Sequence, residues 1–493
     1  MYSDGMLNFV DISDTELGTL GELRKALYAG TGTDSATFIG GRALQIQDLE
    51  MTLINAVFSQ DEAKLYKRMK MRNATATVHE FTRRDEVGAD FGGVAEEGGS
   101  GMETDQDLKR ITVPMKTLQT KRAVTLHMLA SQAIDDAKAS EKLAGTLTLL
   151  RRLEKNLFVG DSLVVPAEFD GLQKSIPGNY NLLTGSPGDV AEQVIDLRGK
   201  AIDDSTLVGE YSLTTAARLI RDAFGKADAA YMSLTVMQDI QKLIRERVRF
   251  PILQPNQADT ATGALFTNNW STPFGMLELI DDVFLRERGI SITSTMPLLK
   301  PMIPGAVTPT AGAPTLPVVS LFITGVDNGS YRYMVTSENK YGESDPVYSA
   351  VTAVAAGEVV TFSIAVCSGA GSMPTGYRIY RSEKDVDPGT VLTGYKLIGR
   401  FPWIGDPTAA AATNGLDQNA VLPDTSDIYV LTTDPMYQAL EWLQFLPLME
   451  FTLYPTETAM YPFLIMLVGA LATKIPKRHV RIMNVGHTGG WYS

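Results

Sequence analysis

A tract of about a hundred residues, rich in proline, glycine, alanine, threonine and valine, interrupts this chain, and that is the usual size of a two-sheet β-domain. It opens near Ile303, where Pro304, Pro309, Pro314 and Pro317 read as a linker. It closes near Asp424, after Pro402, Pro407 and an alanine run over 409–412. Inside, the segment GSYRYMVTSENKYGES (329–344) places Tyr331, Tyr333 and Val335 two residues apart, so all three share one face of a strand. Asn339 and Gly342 supply turn chemistry. The phrase GYRIYR (376–381) repeats the alternation. An all-β sandwich is therefore predicted over 303–424, set between two segments that read as halves of another domain.

The flanks have a different texture. Residues 1–41 form an extended arm with a short helix near 19–29, and Leu44, Leu49, Leu53, Ile54, Val57 and Phe58 give 44–71 a helical spacing. Residues 74–126 are β-rich on either side of a tip dense in Gly, Glu and Asp. Gly92, Gly93, Glu96, Glu97, Gly98, Gly99 and Gly101 fall in that tip, whose glycines permit backbone angles closed to other residues. A two-stranded ribbon of this length is marginal alone in water, so it needs a surface to lie on. Residues 131–160 carry the strongest helical pattern, with Leu143, Leu147, Leu150 and Leu157 as its stripe, Leu149 and Leu153 beside it, and Gly160 as its stop. An α/β pattern follows: a helix over 214–224 facing inward through Ala216, Leu219, Ile220 and Phe224, a strand over 231–235, a helix over 236–249, and strands over 276–280 and 290–293. After the β-tract come a strand over 428–431, a helix over 437–445, and an apolar core over 461–471 and 479–485.

Composition narrows the function classes. The 493 residues carry a net charge of -13, with no clustered Lys and Arg, which argues against a dedicated nucleic-acid reader. The single cysteine, Cys367, rules out an internal disulfide framework. No secretory signal is visible at the N-terminus, and the longest apolar run, 463–472, is too short for a bilayer. His79, His127, His479 and His487 lie far apart, without zinc-site spacing. The acidic pairs Asp135–Asp136, Asp203–Asp204 and Asp281–Asp282 are neighbours in sequence; adjacent residues do not share a face, so they read as solvated or capping groups. Gly30-Thr31-Gly32 has no lysine after it, which leaves no phosphate loop. No catalytic residue, metal ligand or cofactor-binding residue is assigned, and the chain is not expected to be an enzyme.

The order of elements, arm, long hairpin, long helix, α/β domain and apolar return, resembles the major capsid proteins of tailed bacteriophages with the Hong Kong 97 fold. The phrases that carry it are KRAV (121–124), EKNLFVGD (154–161), FDGL (169–172), YMS (231–233), and GAL (469–471) with IP (475–476) and RIMNV (481–485). The tract at 303–424 resembles immunoglobulin-like and fibronectin type III-like modules of phage structural proteins. The resemblance implies an α+β fold divided as 1–73 N-terminal arm and first helix, 74–117 extended hairpin, 118–165 peripheral domain with spine helix, 166–302 axial domain, 303–424 inserted β-sandwich, and 425–493 axial and peripheral return. It further implies hexamers and pentamers of an icosahedral shell around double-stranded DNA that is held without sequence-specific contacts. The glycine-rich tip would touch neighbouring subunits. A separate scaffolding protein, a portal, and decoration or cement proteins are the implied partners, with no membrane. The implied location is the virion, after assembly in the host cytoplasm. The β-tract would sit on the outer face and be dispensable for assembly. An encapsulin-like nanocompartment shell is the alternative.

Overall fold

A computed structural model describes residues 63–88, 97, 105–130, 136–176, 193–202, 212–247, 269–285, 299–315, 318–408, 412–454 and 459–492. The arm over 1–41, the helical pattern up to 62 and the strand over 290–293 lie outside these residues. Within the described part of the helix expected over 44–71 lies the single turn α1 (Lys64–Arg68), after which Met69 is extended and β1 (Lys70–Asn73) begins. The predicted hairpin follows as β2 (Val78–Glu86) and β3 (Asp107–Pro114), paired antiparallel from Val78 against Pro114 to Glu86 against Asp107. Met115 separates β3 from β4 (Lys116–Thr125), so the β-rich run that reads as one strand in sequence serves two different sheets.

After the short helix α2 (Leu126–Ala130) comes the spine, α3 (Ala137–Val159). Its 23 residues span about 35 Å. Asp136 caps it, Oδ1 accepting from the N–H groups of Lys138 (2.9 Å) and Ala139 (3.4 Å). At the other end the Gly160 N–H donates to the Asn156 carbonyl. The buried stripe is Leu149, Leu153 and Leu157, with Phe158 beside them, whereas Leu143 is exposed. The stripe expected through 143, 147 and 150 is therefore rotated. Gly145 sets the rotation: a Cβ there would stand 2.7 Å from Ile465 Cδ1, so the backbone of α3 rests directly on the sheet. Each large side chain fully buried along the stripe contributes about 1.5–3 kcal/mol.

A further single turn, α4 (Leu172–Ser175), leads into the second half-domain: β5 (Val194–Asp196), α5 (Ser212–Asp222), β6 (Ala229–Met232), α6 (Leu234–Arg247), β7 (Asn269–Thr272) and β8 (Gly275–Asp281). In α5, Ala216 and Ile220 are buried as expected, but Phe224 is not on the helix. It lies beyond the C-terminus with φ 57° and an exposed ring.

Between 307 and 417 the described residues form ten strands and a single 3-10 turn. These are β9 (Val307–Gly312), β10 (Gly329–Tyr331), β11 (Tyr333–Asn339), β12 (Gly342–Glu343), β13 (Val347–Tyr348), β14 (Thr352–Val354), β15 (Val359–Ile364), β16 (Gly376–Ser382), β17 (Tyr395–Pro402) and β18 (Ala412–Asp417). One sheet runs β12-β11-β16-β17 with β13 also on β11; a second runs β18-β15-β9; β10 pairs with β14. Tyr331, Tyr333 and Val335 do share one core, with Phe362, Tyr377, Ile379 and Phe401. The opposite face of β11 is also buried, Met334 packing with Tyr380 and Tyr395. The proline-rich stretch does not behave as a linker: Pro309 lies within edge strand β9, opposite Phe362, a position where a missing N–H is tolerated.

The chain then returns through β19 (Ser426–Leu431), β20 (Leu440–Thr452), β21 (Met460–Thr473) and β22 (Val480–Val485). The helix expected over 437–445 is absent. Those residues enter β20, which pairs parallel with β1 and antiparallel with β21. Trp442 decides it, meeting Phe169 and Tyr66 edge-on at 5.4 and 5.7 Å, a packing demand that overrides local propensity. Two sheets result. A four-stranded sheet, β1-β20-β21-β4, carries α3 across one face; a six-stranded mixed sheet, β5-β22-β19-β6-β8-β7, packs α5 and α6 on one side. Its other side meets the spine core, where Phe158 touches Tyr231 and Tyr429.

Candidate assembly interface

Three features of the surface bear on function: the hairpin, the free face of the four-stranded sheet, and the seat of the β-rich module. Along β2, His79, Phe81, Arg83 and Asp85 face the body and alternate with exposed neighbours. Val113 of β3 packs on the spine core, and Arg83 Nη1 reaches the Lys474 carbonyl at 3.4 Å. Burial, then the charges of Arg72 and Lys474, push the His79 imidazole below its ordinary value. The outward face, with Val78, Thr82, Leu108 and Thr112, is exposed and carries the Glu80–Arg110 ion pair. Of the tip residues singled out in sequence, Glu97 is an exposed turn residue, and Gly92, Gly93, Glu96, Gly98, Gly99 and Gly101 lie outside the described residues.

Strand register identifies the free sheet face. Glu450 points toward the spine, where Lys142 meets it at 2.6 Å. Its neighbours Met449 and Phe451 therefore point the other way, in line with Met466 and Leu464 of β21 and with Gln119 and Lys121 of β4. Met449 and Phe451 remain 39% and 37% exposed. At the rim beside them Leu126, Met128, Met460, Tyr461 and Tyr454 are also exposed. Exposed apolar side chains concentrated in one part of a surface are characteristic of contact sites.

The module is seated on the body by buried charge. Arg400 of β17 donates from Nη1 to the Val159 carbonyl at the end of the spine (2.8 Å) and from Nη2 to Glu168 (3.0 Å). It also holds Glu338 through Nε and Nη2, at 3.1 and 2.8 Å. Burial alone would raise the Glu338 carboxyl, but Arg378 and Arg400 overcome it and hold it at about 2. From the body side, Arg198 donates to the Leu321 and Asn419 carbonyls at 2.6 and 2.7 Å and pairs with Asp327. Asn484 of β22 donates to the Ala420 carbonyl and accepts from the Leu422 N–H. None of these charges was singled out in sequence, because alternating Arg and Glu on a strand has the pattern of a solvated face.

Among the described residues no group of three or more His, Cys, Asp or Glu side chains could hold a metal ion. No helix among them is long and apolar enough to cross a membrane. Cys367 is buried, and burial lifts its thiol to about 11. His479 is pushed down to about 4, by burial first. An open groove of about 470 Å³ is lined by Lys64, Lys67, Arg68 and residues 278–281, and its Lys64 and Arg68 are already paired with Asp281 and Glu278. Of the acidic pairs, Asp136 is the expected cap. Asp282 departs from expectation: it is fully buried, its Oδ1 accepts from the Phe284 N–H at 2.7 Å, and its charge adds to burial in pushing up the carboxyl of Glu154, itself fully buried within a charged stretch of the spine.

No family model matches the chain. The major capsid protein of Staphylococcus phage S25-3 is 26% identical over 474 residues, 94% of each protein. Among solved structures, the encapsulin of Synechococcus elongatus PCC 7942 aligns with 91% of this chain and 96% of its own at 9% identity and a TM-score of 0.43. The capsid of Myoviridae phage XM1 aligns with 90% and 98% at 10% identity and a TM-score of 0.42.

Proposed function

We propose that this chain is the major capsid protein of a tailed double-stranded DNA phage. The observation that carries the reading is similarity over nearly the full length of both chains to a protein of that name. The architecture supports it: a stiff spine across a sheet, a hairpin with an exposed outer face, and a free apolar sheet face on the same subunit. Each describes a molecule that covers its surface with copies of itself. Weak contacts repeated around a closed lattice sum to large avidity, and repeated heterologous contacts close when symmetry permits.

In this reading subunits form hexamers and pentamers of an icosahedral shell. The arm over 1–41 and the hairpin over 74–117 drape on neighbours, and the tip from Gly92 to Gly101 makes inter-subunit contacts. A separate scaffolding protein, a portal and decoration or cement proteins complete the particle. The net charge of -13 keeps the wall from adhering to a packaged polyanion. Residues 303–424 form an immunoglobulin-like sandwich on the outer face. Its contacts with Glu168, Arg198 and Asn484 support a fixed seat on the subunit.

The test is assembly of the purified chain, alone and with a scaffolding protein, followed by negative-stain imaging. Closed shells with five-fold vertices are expected, enclosing DNA in infected cells. A chain that stays monomeric under every assembly condition refutes the proposal. Shells that co-purify with an enzyme cargo in place of DNA move it to the nanocompartment reading.

A further inference from the structure

One group of charges serves neither a hydrophobic core nor the seat of the module, and it lies where the spine meets the module. On α3, Arg151, Arg152 and Lys155 are exposed. At 3.6 residues per turn they fall within about 100° of the helix circumference. Lys155 is four residues from Arg151 and three from Arg152, so the three repel one another along one face. Arg152 Nη2 donates to the Lys340 carbonyl at 3.4 Å, which brings the turn between β11 and β12 over that face. The Tyr341 N–H holds the turn by donating to Asn339 Oδ1 at 2.8 Å. Lys340 and Tyr341 are exposed, the ammonium standing 4.9 Å from the ring centre.

Among the described residues, none of Arg151, Arg152, Lys155 and Lys340 forms a salt bridge. The carboxylates beside them are engaged: Glu338 and Glu343 with Arg378 at 2.5 and 2.7 Å, Glu338 and Glu168 with Arg400 at 2.8 and 3.0 Å. The complement stands elsewhere in the chain. Between Arg84 and Lys109 there are eight acidic residues and no Lys, Arg or His. Asp85 and Asp107 close on Arg83 and Lys109 at the base of this stretch. Glu97 and Asp105 are exposed and form no salt bridge among the described residues, with the seam of their own chain or with any other cation. The nine residues of β2 set the stretch about 30 Å along the hairpin from Val78.

We propose that the seam between the spine and the β11–β12 turn receives the acidic hairpin tip of a second copy of this chain. The module thereby takes part in joining subunits, with Lys340 supplying one side of the receptor and Arg151, Arg152 and Lys155 the other. Complementary charge of this kind selects the partner and fixes its register. A single exposed ion pair contributes little; several together, repeated at every subunit of a lattice, add up, and in that respect the inference rests on the shell reading. A nucleic-acid backbone is the other polyanion such cations could meet, but they occupy one helical turn and one β-turn, where a phosphate track needs a longer row.

Mixed assembly tests it. Cys367 is buried, so Glu97→Cys in one batch of full-length subunits and Lys340→Cys in another give each batch one accessible thiol. Assembled together and treated with a short bismaleimide, the two should yield a cross-linked dimer joining positions 97 and 340, identified by mass spectrometry and absent from either batch alone. Arg151→Glu with Lys340→Glu should leave the circular dichroism of the subunit unchanged and lose pelletable particles, most completely at low salt, where repulsion is least screened. Adding Glu96→Lys and Glu97→Lys to that chain should restore them. If the double variant does not fold, Lys340→Glu alone, on an exposed turn, carries the same test with the same expected loss. Wild-type shells that give no mixed cross-link overturn the inference and leave the shell reading standing. So do normal shells from the charge-reversed variant, including shells that retain less DNA, and so does a charge swap that restores nothing. A wild-type chain that builds no shell overturns the shell reading and this inference with it.

Discussion

Replacing Arg400 by alanine should weaken the seat of the β-rich module on the body without touching either core. Arg400 is nine-tenths shielded, and its removal leaves Glu168 a 3.5 Å contact from the Asp161 N–H in place of an ion pair, takes the side-chain donor from the Val159 carbonyl, and leaves Glu338 with Arg378. Breaking one side of a buried ion pair costs about 3–5 kcal/mol, most of it the penalty on the charges left behind. The melting shift this produces depends on what unfolds together. At about 2.1 cal/mol/K per residue, a chain of 493 residues melting as one unit has an unfolding entropy near 1 kcal/mol/K, so Tm should fall by about 3–5 °C. If the roughly 120 residues of 303–424 melt alone, the entropy is near 0.25 kcal/mol/K and that transition should fall by about 12–20 °C. Calorimetry of the unassembled subunit separates the two cases. Arg400→Lys keeps the charge without the fork and should lie between wild type and alanine. Arg400→Met combined with Glu168→Gln should recover part of the loss, since one orphaned charge is then neutral. A shift below about 1 °C for R400A in a single transition refutes the reasoning, because it would mean these contacts are exchanged for water at no cost.

Other perturbations address the surfaces and the spine sheet. Deleting residues 89–103 should leave a folded subunit, by circular dichroism, that builds no thermally stable shells; normal shells would remove the draping role from the hairpin tip. Met449→Lys with Phe451→Lys places two charges on a half-exposed face, so subunit melting should move by less than about 0.5 kcal/mol equivalent while sedimentation shows particle formation lost. Gly469→Ala sets a methyl group 2.5 Å from Trp442 Cζ2 and 2.6 Å from the Leu443 carbonyl. It should cost about 1–3 kcal/mol by overpacking, with a change in tryptophan emission.

The residues that could be read in sequence are those whose partners are near in the chain or whose pattern repeats. The hairpin over 78–114 announced itself by alternation around a glycine-rich tip, and the spine by its leucines and the stop at Gly160. The tyrosines of 331–333 and 377–380 marked strands correctly, and they pack against each other and against Phe362 and Phe401. Position 440 onward did not declare itself. A run such as YQALEWLQF has helical spacing, and only its pairing with β1 and β21, together with the pocket that receives Trp442, makes it a strand. The pairing of Lys70 with Glu441 spans 371 residues, and local propensity holds no trace of it.

The buried charges fail to be legible for a sharper reason, and Glu154 shows it. Amphipathic periodicity presumes that a helix has a wet side. Near its N-terminus α3 obeys the rule, with Lys142 and Leu143 exposed and Gly145 pressed on the sheet. In its last two turns Leu153, Glu154, Asn156, Leu157 and Phe158 are all buried, so the helix is enclosed on nearly every side and the polar side of the wheel faces other protein. A carboxyl group there must find donors, and Glu154 accepts from the N–H groups of Leu65 and Tyr66 while burial pushes it above its ordinary value. The same enclosure explains Arg378 and Arg400: the outer face of β16 and β17 is polar in sequence because it meets charged partners, Glu338 and Glu168, rather than water, while Arg381 lies over the Tyr331 and Phe322 rings and pairs with Asp417. Where a polar position is covered, its chemistry is set by the residue opposite, and for Arg400 that residue stands 232 positions away.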